Sequence, residues 1–475
     1  MRIPFDGRSR RRAKDGRRGA ALVLAALLCL ALIPMVGLAV DGATAYLMRS
    51  AVSAALDAAV LAGARSLNVG QDIASQTGNA TAVAQKVFNA NLSAAAWQMK
   101  NISSSISVGQ NNSTHFRWVT ITASADVPLS MSSLAGYSSA HIQLTATAQR
   151  RDVNVVLVLD HSGSMANAMS AMRTAATDFT NMFAGGRDNV GLVVFTGSTF
   201  VAYHLSSGFK SDSPNVTTMI GQLQSNNGAT NTAQAMWDAY GELKRLNQPG
   251  ALNVIVLFTD GLANTYTADF TALISKPVSG CTGLSKPLVG VVLAFSGGSL
   301  ISGLSDPAAH SLNDVTENRP APNSTGCFWN SNTLSAGQSL PGALSGLPAT
   351  DANGNSTNGT GSTTAYLPVN LTSAGIANSY VANTNVTNSG QNAFDDAANR
   401  IRSDANLSPL IYAIGLGGNP GAPPDNVLMA RIANDPASPS FNAKQAQGLY
   451  VFSPSTAQLH TAFLRIASEI LRLSL

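Results

Sequence analysis

The spacing of hydrophobic residues changes along the chain, beginning with a long apolar segment. Residues 19–40 read GAALVLAALLCLALIPMVGLAV and contain no charged side chain. As a helix rising about 1.5 Å per residue, this segment would span the roughly 30 Å hydrocarbon layer of a membrane. Apolar residues then continue at helical spacing, with Val52 and Val60 near one stripe. We therefore expect a transmembrane helix over 19–40, followed by an Ala-rich helical extension over 41–67.

A cleaved signal peptide is the alternative for this segment. The small residues before Val40 could form a cleavage site. However, the apolar core of a signal peptide usually spans about 7–15 residues, and this run is longer. The sequence thus favours a retained anchor.

Strict alternation of apolar and polar residues replaces the helical period in residues 68–150. It occurs in WVTITASADV (118–127) and again in HIQLTATAQR (141–150). Alternation with a period of two is typical of a strand with one buried face. These residues are expected to form a small β-containing domain.

Short apolar runs separated by helical patterns mark the remainder, residues 151–475. Strands are predicted at 153–159, 190–195, 199–205 (an edge strand), 253–258, 409–417 and 448–452. Helices are predicted at 166–184, 214–224, 231–245, 391–404, 425–434 and 455–472. Buried strands alternating with helices indicate an α/β fold, a doubly wound and mostly parallel sheet covered on both faces.

A large insertion interrupts this alternation at about 262–390. It is rich in Gly, Ser, Asn, Thr and Pro, the composition of an exposed segment. A structureless loop of this length is improbable inside a domain. We therefore expect part of it, such as LVGVVLAF (288–295), to be ordered.

Charge is scarce and concentrated at the N-terminus. The chain has 475 residues, of which 45% are apolar and only 11% charged, against about 25% charged in typical soluble domains. Residues 1–18 carry eight basic and two acidic side chains, whereas the whole chain has a net charge of only +4. A nucleic-acid partner is therefore not expected, because the basic charge is not spread over a folded face. By the positive-inside rule, 1–18 is expected to be a cytoplasmic tail and the bulk of the chain to lie outside.

Three cysteines occur in the sequence. Cys29 lies in the apolar segment and is interpreted as an inert small residue. Cys281 and Cys327 lie on the outer side, where an oxidising compartment would let them form a disulfide. Two unpaired thiols are the alternative, since spacing alone does not bring two cysteines together. Without a Cys-x-x-Cys or His-Glu-x-x-His pattern, a zinc site is not expected.

Candidate chemistry lies where predicted strands end. The first strand of the α/β region runs into LDHSGSM, which contains Asp160, Ser162 and Ser164. Thr230 precedes a predicted helix, and Asp260 directly follows the strand at 253–258. Ligands of open parallel sheets collect at the carboxyl ends of strands, and such hard oxygen donors suit Mg²⁺.

Each of these residues alone could simply cap a helix or form a turn. Their joint occurrence at adjoining loops favours a metal site. His161, inside the first motif, is interpreted as an exposed neighbour without a ligand role.

The combination of Asp160-x-Ser162-x-Ser164, Thr230 in Gly-x-Thr-x-Thr, and Asp260 in Thr-Asp-Gly resembles the metal-ion-dependent adhesion site of von Willebrand factor type A domains, which have a Rossmann-like fold. The resemblance implies Mg²⁺ (or Mn²⁺) bound directly by Ser162, Ser164 and, in one state, Thr230. Asp160 and Asp260 would act largely through water. It also implies an open coordination position that accepts an acidic side chain from a protein partner.

The whole chain is also similar to TadE/TadG-like proteins of bacterial Flp (tight adherence) pilus assembly. The similarity rests on Arg-Arg-Gly at residues 17–19, on the stretch GAALVLAALLCLALIPMVGLAVD that begins with this glycine, and on the following LDAAVLAGA. It implies a single-pass protein of the bacterial inner membrane, with its bulk periplasmic or extracellular, that assists pilus assembly or anchoring. The alternative is a surface or secreted adhesin that binds a host or matrix protein through the same metal site. An enzyme is not expected, because neither a Gly-x-Ser-x-Gly elbow nor a P-loop occurs in the sequence.

Overall fold

The computed structural model describes residues 12–92, 99–197, 199–225, 229–269, 289–293, 300–305, 345–359, 365–418, 421 and 423–474. The chain divides into two compact units, and each is described by itself. The first unit consists of Met1–Ser66, Thr77–Gly109 and Trp118–Gln149. The second consists of Leu67–Gln76, Gln110–Arg117 and Arg150–Leu475.

In the described residues before 152, the chain forms the helices α1 (Arg12–Ser66) and α2 (Ile73–Leu92) and the strands β1 (Lys100–Asn111), β2 (Phe116–Pro128) and β3 (Ser139–Arg151). The strands form one sheet in the order β1-β2-β3. Both strands predicted by alternation are confirmed as β2 and β3. On β2 the alternation is visible as a buried face that includes Val119, Ile121 and Val127.

Helix α1 joins the predicted span and its extension without a break. Its first part exposes large apolar side chains, of which Leu30 is 74% exposed. Its later part buries one stripe, including Val52, Leu56 and Val60. In the described residues, α1 is the one helix long and apolar enough to cross a membrane.

The second unit is built on a six-stranded sheet within the described residues. Its strands are β4 (Val153–Asp160), β5 (Asn189–Phe195), β6 (Thr199–Ser206), β7 (Leu252–Thr259), β11 (Leu410–Leu416) and β12 (Leu449–Ser453). The accompanying helices are α3 (Met169–Asn181), α4 (Val216–Gln222), α5 (Thr232–Leu246), α6 (Ser379–Arg402), α7 (Asn426–Ile432) and α8 (Thr456–Leu473).

The strand order β12-β11-β7-β4-β5-β6 places β4 in the middle of the sheet. Neighbouring strands are parallel except for β5 and β6, so the predicted edge strand is antiparallel. From β4 the chain continues to β5 on one side, and later strands add on the other side through β7. Strand order therefore reverses beside β4, and a crevice is expected at the carboxyl ends of β4 and β7. The predicted doubly wound, mostly parallel sheet is confirmed.

Helices cover both faces of this sheet because its strands are apolar on both sides. Along β4, Leu157 and Leu159 pack in one core with α3, α4 and α8. Val156 and Val158 pack in a second core with α5, α6 and α7. Full burial of such a side chain stabilises the fold by about 1.5–3 kcal/mol, so this strand is firmly held.

The described part of the predicted insertion contains three short strands: β8 (Thr265–Asp269), β9 (Val289–Leu293) and β10 (Leu300–Ser305). They form a separate antiparallel sheet in the order β10-β9-β8. The expectation of order near 288–295 is thus confirmed by β9. Cys281 and Cys327 lie outside the described residues, and their pairing stays a prediction.

Helix α6 begins at Ser379, well before the predicted start at residue 391. Residues 379–390, SYVANTNVTNSG, are poor helix formers, which is why their pattern indicates a loop. The side chain of Asn378 caps this end by accepting a hydrogen bond from Val381 N. Val386 is fully buried, so capping and burial override the weak propensity.

Candidate functional site

Three loops meet beside the carboxyl ends of β4 and β7. Asp160 is the last residue of β4, Asp260 follows β7, and Thr230 lies just before α5. The last two loops are fastened to each other by Asn264, whose side-chain oxygen accepts a hydrogen bond from Thr230 N at 2.8 Å. Asn264 N donates in return to Thr230 O at 3.3 Å. The loops thus meet where the reversal of strand order predicts a crevice.

Asp160 organises the first loop from a fully buried position. Its Oδ1 accepts a hydrogen bond from Ser162 N at 2.8 Å, which turns the chain sharply after β4. Its Oδ2 accepts one from Thr259 Oγ1 at 2.6 Å, which ties the ends of β4 and β7 together. Both carboxylate oxygens are therefore fixed by the protein.

A line of hydroxyl groups connects this loop to Asp260. Ser162 Oγ lies 3.1 Å from Ser164 Oγ, and Ser164 Oγ donates to Asp260 Oδ1 at 2.7 Å. Asp160, Ser162, Ser164 and Asp260 therefore form one hydrogen-bonded group. Asp260 lies 96 residues from Ser164 in the sequence, and it is the parallel pairing of β4 with β7 that brings its loop beside the first.

Thr230 stands next to this group. A Cβ atom placed on Gly261 would lie 3.3 Å from Thr230 Oγ1 and 3.9 Å from Ser164 Oγ. The Thr230 hydroxyl therefore faces the same small space as the Ser164 hydroxyl. Glycine at position 261 keeps that space open.

Burial disfavours the charged form of both carboxyl groups. Burial raises the pKa of Asp160, against hydrogen bonds from Thr259 and Ser162 that lower it. Burial and the nearby charge of Asp160 raise the pKa of Asp260 to about 6. A cation between the two groups would offset both effects.

The donor set fits a hard divalent cation. Two carboxylates and three hydroxyls offer only oxygen atoms, which Mg²⁺ and Mn²⁺ prefer. Across the ranges that the structure describes, no group of three or more His, Cys, Asp or Glu could hold a metal. Any cation bound here would therefore depend on the hydroxyl groups.

His161 is half-buried, so the prediction of an exposed neighbour is wrong. Its Nδ1 lies 3.1 Å from the carbonyl oxygen of Gln224, and burial lowers the pKa of the ring. The ring is thus engaged by the loop after α4. This contact links residues distant in the sequence, and the motif itself carries no sign of it.

Sequence reasoning also missed the two residues that position the site, Thr259 and Asn264. Both stand in FTDGLAN, on either side of Asp260. Their position near Asp260, at the end of a predicted strand, is the sequence feature that could have identified them. Thr259 holds the Asp160 carboxylate, and Asn264 holds the main chain of Thr230.

No curated protein matches the sequence. Among solved structures, the chain is similar to several pilus proteins. The pilus adhesin SpaC from Lactobacillus rhamnosus GG is 14% identical, with a TM-score of 0.36, covering 78% of this chain and 35% of SpaC. The chain thus spans about a third of the length of SpaC. The PilB minor pilin from Streptococcus sanguinis is 15% identical, with a TM-score of 0.36 and 79% of each chain covered. The von Willebrand factor domain of the tip protein Mfa5 from Porphyromonas gingivalis is 15% identical, with a TM-score of 0.36, covering 68% of this chain and 95% of that domain.

Two family models match separate parts of the chain. Residues 19–66, the predicted span and most of its extension, match the putative Flp pilus-assembly TadE/G-like family. Residues 155–262, which hold the loops described above, match the von Willebrand factor type A domain. Such domains are typically binding modules. The chain therefore carries a TadE/G-like N-terminal segment and a von Willebrand factor type A domain.

Proposed function

We propose that this protein is a membrane-anchored envelope protein that assists the assembly or anchoring of a Flp-type pilus, and that it binds a protein partner through a divalent cation. The observation that carries the proposal is the hydrogen-bonded group at the ends of β4 and β7. Hydrogen bonds join two buried carboxylates and two hydroxyl-bearing serines in this group, and a third hydroxyl lies beside them. Its role is binding and not catalysis.

The cation would be Mg²⁺ or Mn²⁺, held by the five predicted residues Asp160, Ser162, Ser164, Thr230 and Asp260. When bound, it would supply an open coordination position for an acidic side chain of the partner. The protein's own contribution is to fix the donors before binding. Thr259 orients Asp160, and Asn264 orients the loop that carries Thr230.

The proposed anchor is the apolar part of α1. The TadE/G-like match and the exposed apolar surface of this helix are consistent with a single-pass membrane anchor. We propose that the N-terminus lies in the cytoplasm and that the type A domain lies on the outer side of the bacterial inner membrane. A surface adhesin would instead be digested by protease added to intact cells.

Partner capture tests the proposed function. Ala166, an exposed residue of the short 3-10 helix Gly163–Asn167 that also contains Ser164, is replaced by the photo-crosslinking residue benzoylphenylalanine in cells that assemble the pilus. Irradiation in Mg²⁺ is expected to link the protein to another envelope protein, and chelator is expected to reduce this product at least tenfold. Ser164→Ala should reduce it about tenfold in Mg²⁺, because loss of one ligand worth about 1.4 kcal/mol changes affinity tenfold.

Ser170→Ala is the matched control, since this exposed serine lies on α3 outside the site. It should leave the crosslinked product unchanged. Equal crosslinking in Mg²⁺ and in chelator would contradict the proposal.

A further inference from the structure

The loop between β2 and β3 displays apolar side chains without any charge. From Val127 to Ala140 the sequence is VPLSMSSLAGYSSA. Leu134 is 86% exposed, Tyr137 is 70% exposed and Met131 is 42% exposed. We call residues 129–138 the β2–β3 loop. Neighbouring exposed apolar side chains of this kind commonly mark an interaction surface.

Asp41 of α1 holds this loop in place. Its carboxylate accepts hydrogen bonds from the main-chain nitrogens of Ser130 at 2.9 Å, Met131 at 2.9 Å and Ser132 at 2.7 Å. Asp41 is itself buried by the contact, with 4% of its surface exposed. Three hydrogen bonds to one charged group fix the loop against the helix, since charge-assisted bonds are the stronger kind.

The contact also sets how far along α1 the loop lies. A Cβ atom on Gly37 would overlap the side chain of Met131, so glycine permits the close approach there. Gly37 and Asp41 bracket the end of the apolar segment at residue 40. The loop therefore lies alongside the last turn of the predicted span.

We propose that the β2–β3 loop inserts into the lipid bilayer beside α1, at the interface on the side where the rest of the chain lies. The inference rests on the proposed anchor. At that depth Tyr137 would occupy the headgroup region, where tyrosine is enriched. Leu134 would reach the acyl boundary, as the apolar face of an interfacial segment does.

Lipid is a better occupant than a second protein because of the position of the loop. The apolar side chains of the loop lie next to the exposed apolar surface of α1. A membrane that surrounds this part of α1 would therefore also contact the loop. The inserted loop would hold the three-stranded sheet against the membrane surface, with Asp41 as the fixed link between span and sheet.

Photo-crosslinking to lipid tests this inference on the full chain. Benzoylphenylalanine is placed singly at Leu134 or Tyr137, and the protein is reconstituted in vesicles of phosphatidylethanolamine and phosphatidylglycerol. Tyr137 gives an aromatic-for-aromatic exchange in case the change at Leu134 disturbs folding. After irradiation, mass spectrometry measures the fraction of protein linked to lipid.

Two further positions serve as references. Leu30, exposed within the span, reports on the anchor itself. Ser107 is exposed on β1, and it lies four residues, roughly 13 Å, beyond the Ser103–Ser124 contact in the direction away from the loop.

Lipid adducts are expected at Leu30 and at one or both loop positions, at least fivefold above Ser107. Adducts at Leu30 with none in the loop would overturn this inference and leave the anchor standing. No adduct at Leu30 would overturn the anchor, and the inference with it. Crosslinks from the loop to protein instead of lipid, or adducts at Ser107 equal to those in the loop, would also overturn it.

Discussion

Replacing Asp260 with Asn is expected to stabilise the protein in chelator and to remove its stabilisation by Mg²⁺. The asparagine oxygen can still accept the hydrogen bond from Ser164. The substitution removes a buried charge that faces Asp160. Because burial and that neighbour raise the pKa of Asp260 to about 6, its ionised form opposes folding at pH 7, and the gain in chelator is expected to be roughly 1–3 kcal/mol.

The natural protein, in contrast to this variant, should become more stable when Mg²⁺ is added. An ion present at 100 times its dissociation constant stabilises the folded state by about 2.7 kcal/mol. Thermal unfolding in chelator and in Mg²⁺ measures both effects. In the Asp260→Asn variant the two unfolding temperatures should coincide.

Asp238→Asn provides the matched control. Asp238 is a partly buried carboxylate of the second unit, and burial raises its pKa to about 6 as well. Its partners are Thr199 and Gln234, not the residues of the site. Asp238→Asn should keep the full rise in unfolding temperature on addition of Mg²⁺. If Asp260→Asn kept the same rise, Asp260 would have no part in cation binding.

Asp188→Ala is expected to destabilise the second unit by about 3–5 kcal/mol. Asp188 is fully buried and accepts a hydrogen bond from Arg150 Nη2 at 2.6 Å, while Arg150 is only 2% exposed. It also accepts hydrogen bonds from the main-chain nitrogens of Val153 at 3.0 Å and Ala184 at 2.7 Å. Removing the carboxylate would leave a buried guanidinium without this partner, which is the costly way to break a buried ion pair.

Urea unfolding measures the loss in free energy of unfolding for Asp188→Ala and, as the control for an exposed pair, for Asp178→Ala. Asp178 pairs with His460 at 3.0 Å, and both side chains are about half exposed. Exposed pairs contribute about 0–1 kcal/mol. A similar loss of stability in the two variants would mean that the Arg150–Asp188 pair does not hold the start of β4 as described.

The α/β region was predictable because its strands are buried on both faces. β4, β5 and β7 each form a short continuous apolar run, which the sequence displays directly. The positions of Asp160 and Asp260 followed from the same pattern, since each stands where such a run ends. Chain order alone did not give the pairing of β4 with β7, which places the two carboxylates together.

The first unit was harder to predict because its local signals are weak. Helix α2 and strand β1 were not predicted, since their sequences are rich in Ser, Asn and Thr. In α2 only a sparse stripe, including Ala84 and Phe88, is buried. The role of Asp41 was equally hidden, because its hydrogen bonds reach a loop about 90 residues away in the sequence.

Cation binding by the loops after β4 and β7 and before α5 is the step on which the proposed function depends. Isothermal titration calorimetry of the full chain with Mg²⁺, and separately with Mn²⁺, tests it most directly. Saturable uptake is expected, retained in Asp238→Asn and lost in Asp260→Asn. Absence of uptake of either ion by the natural protein would contradict it.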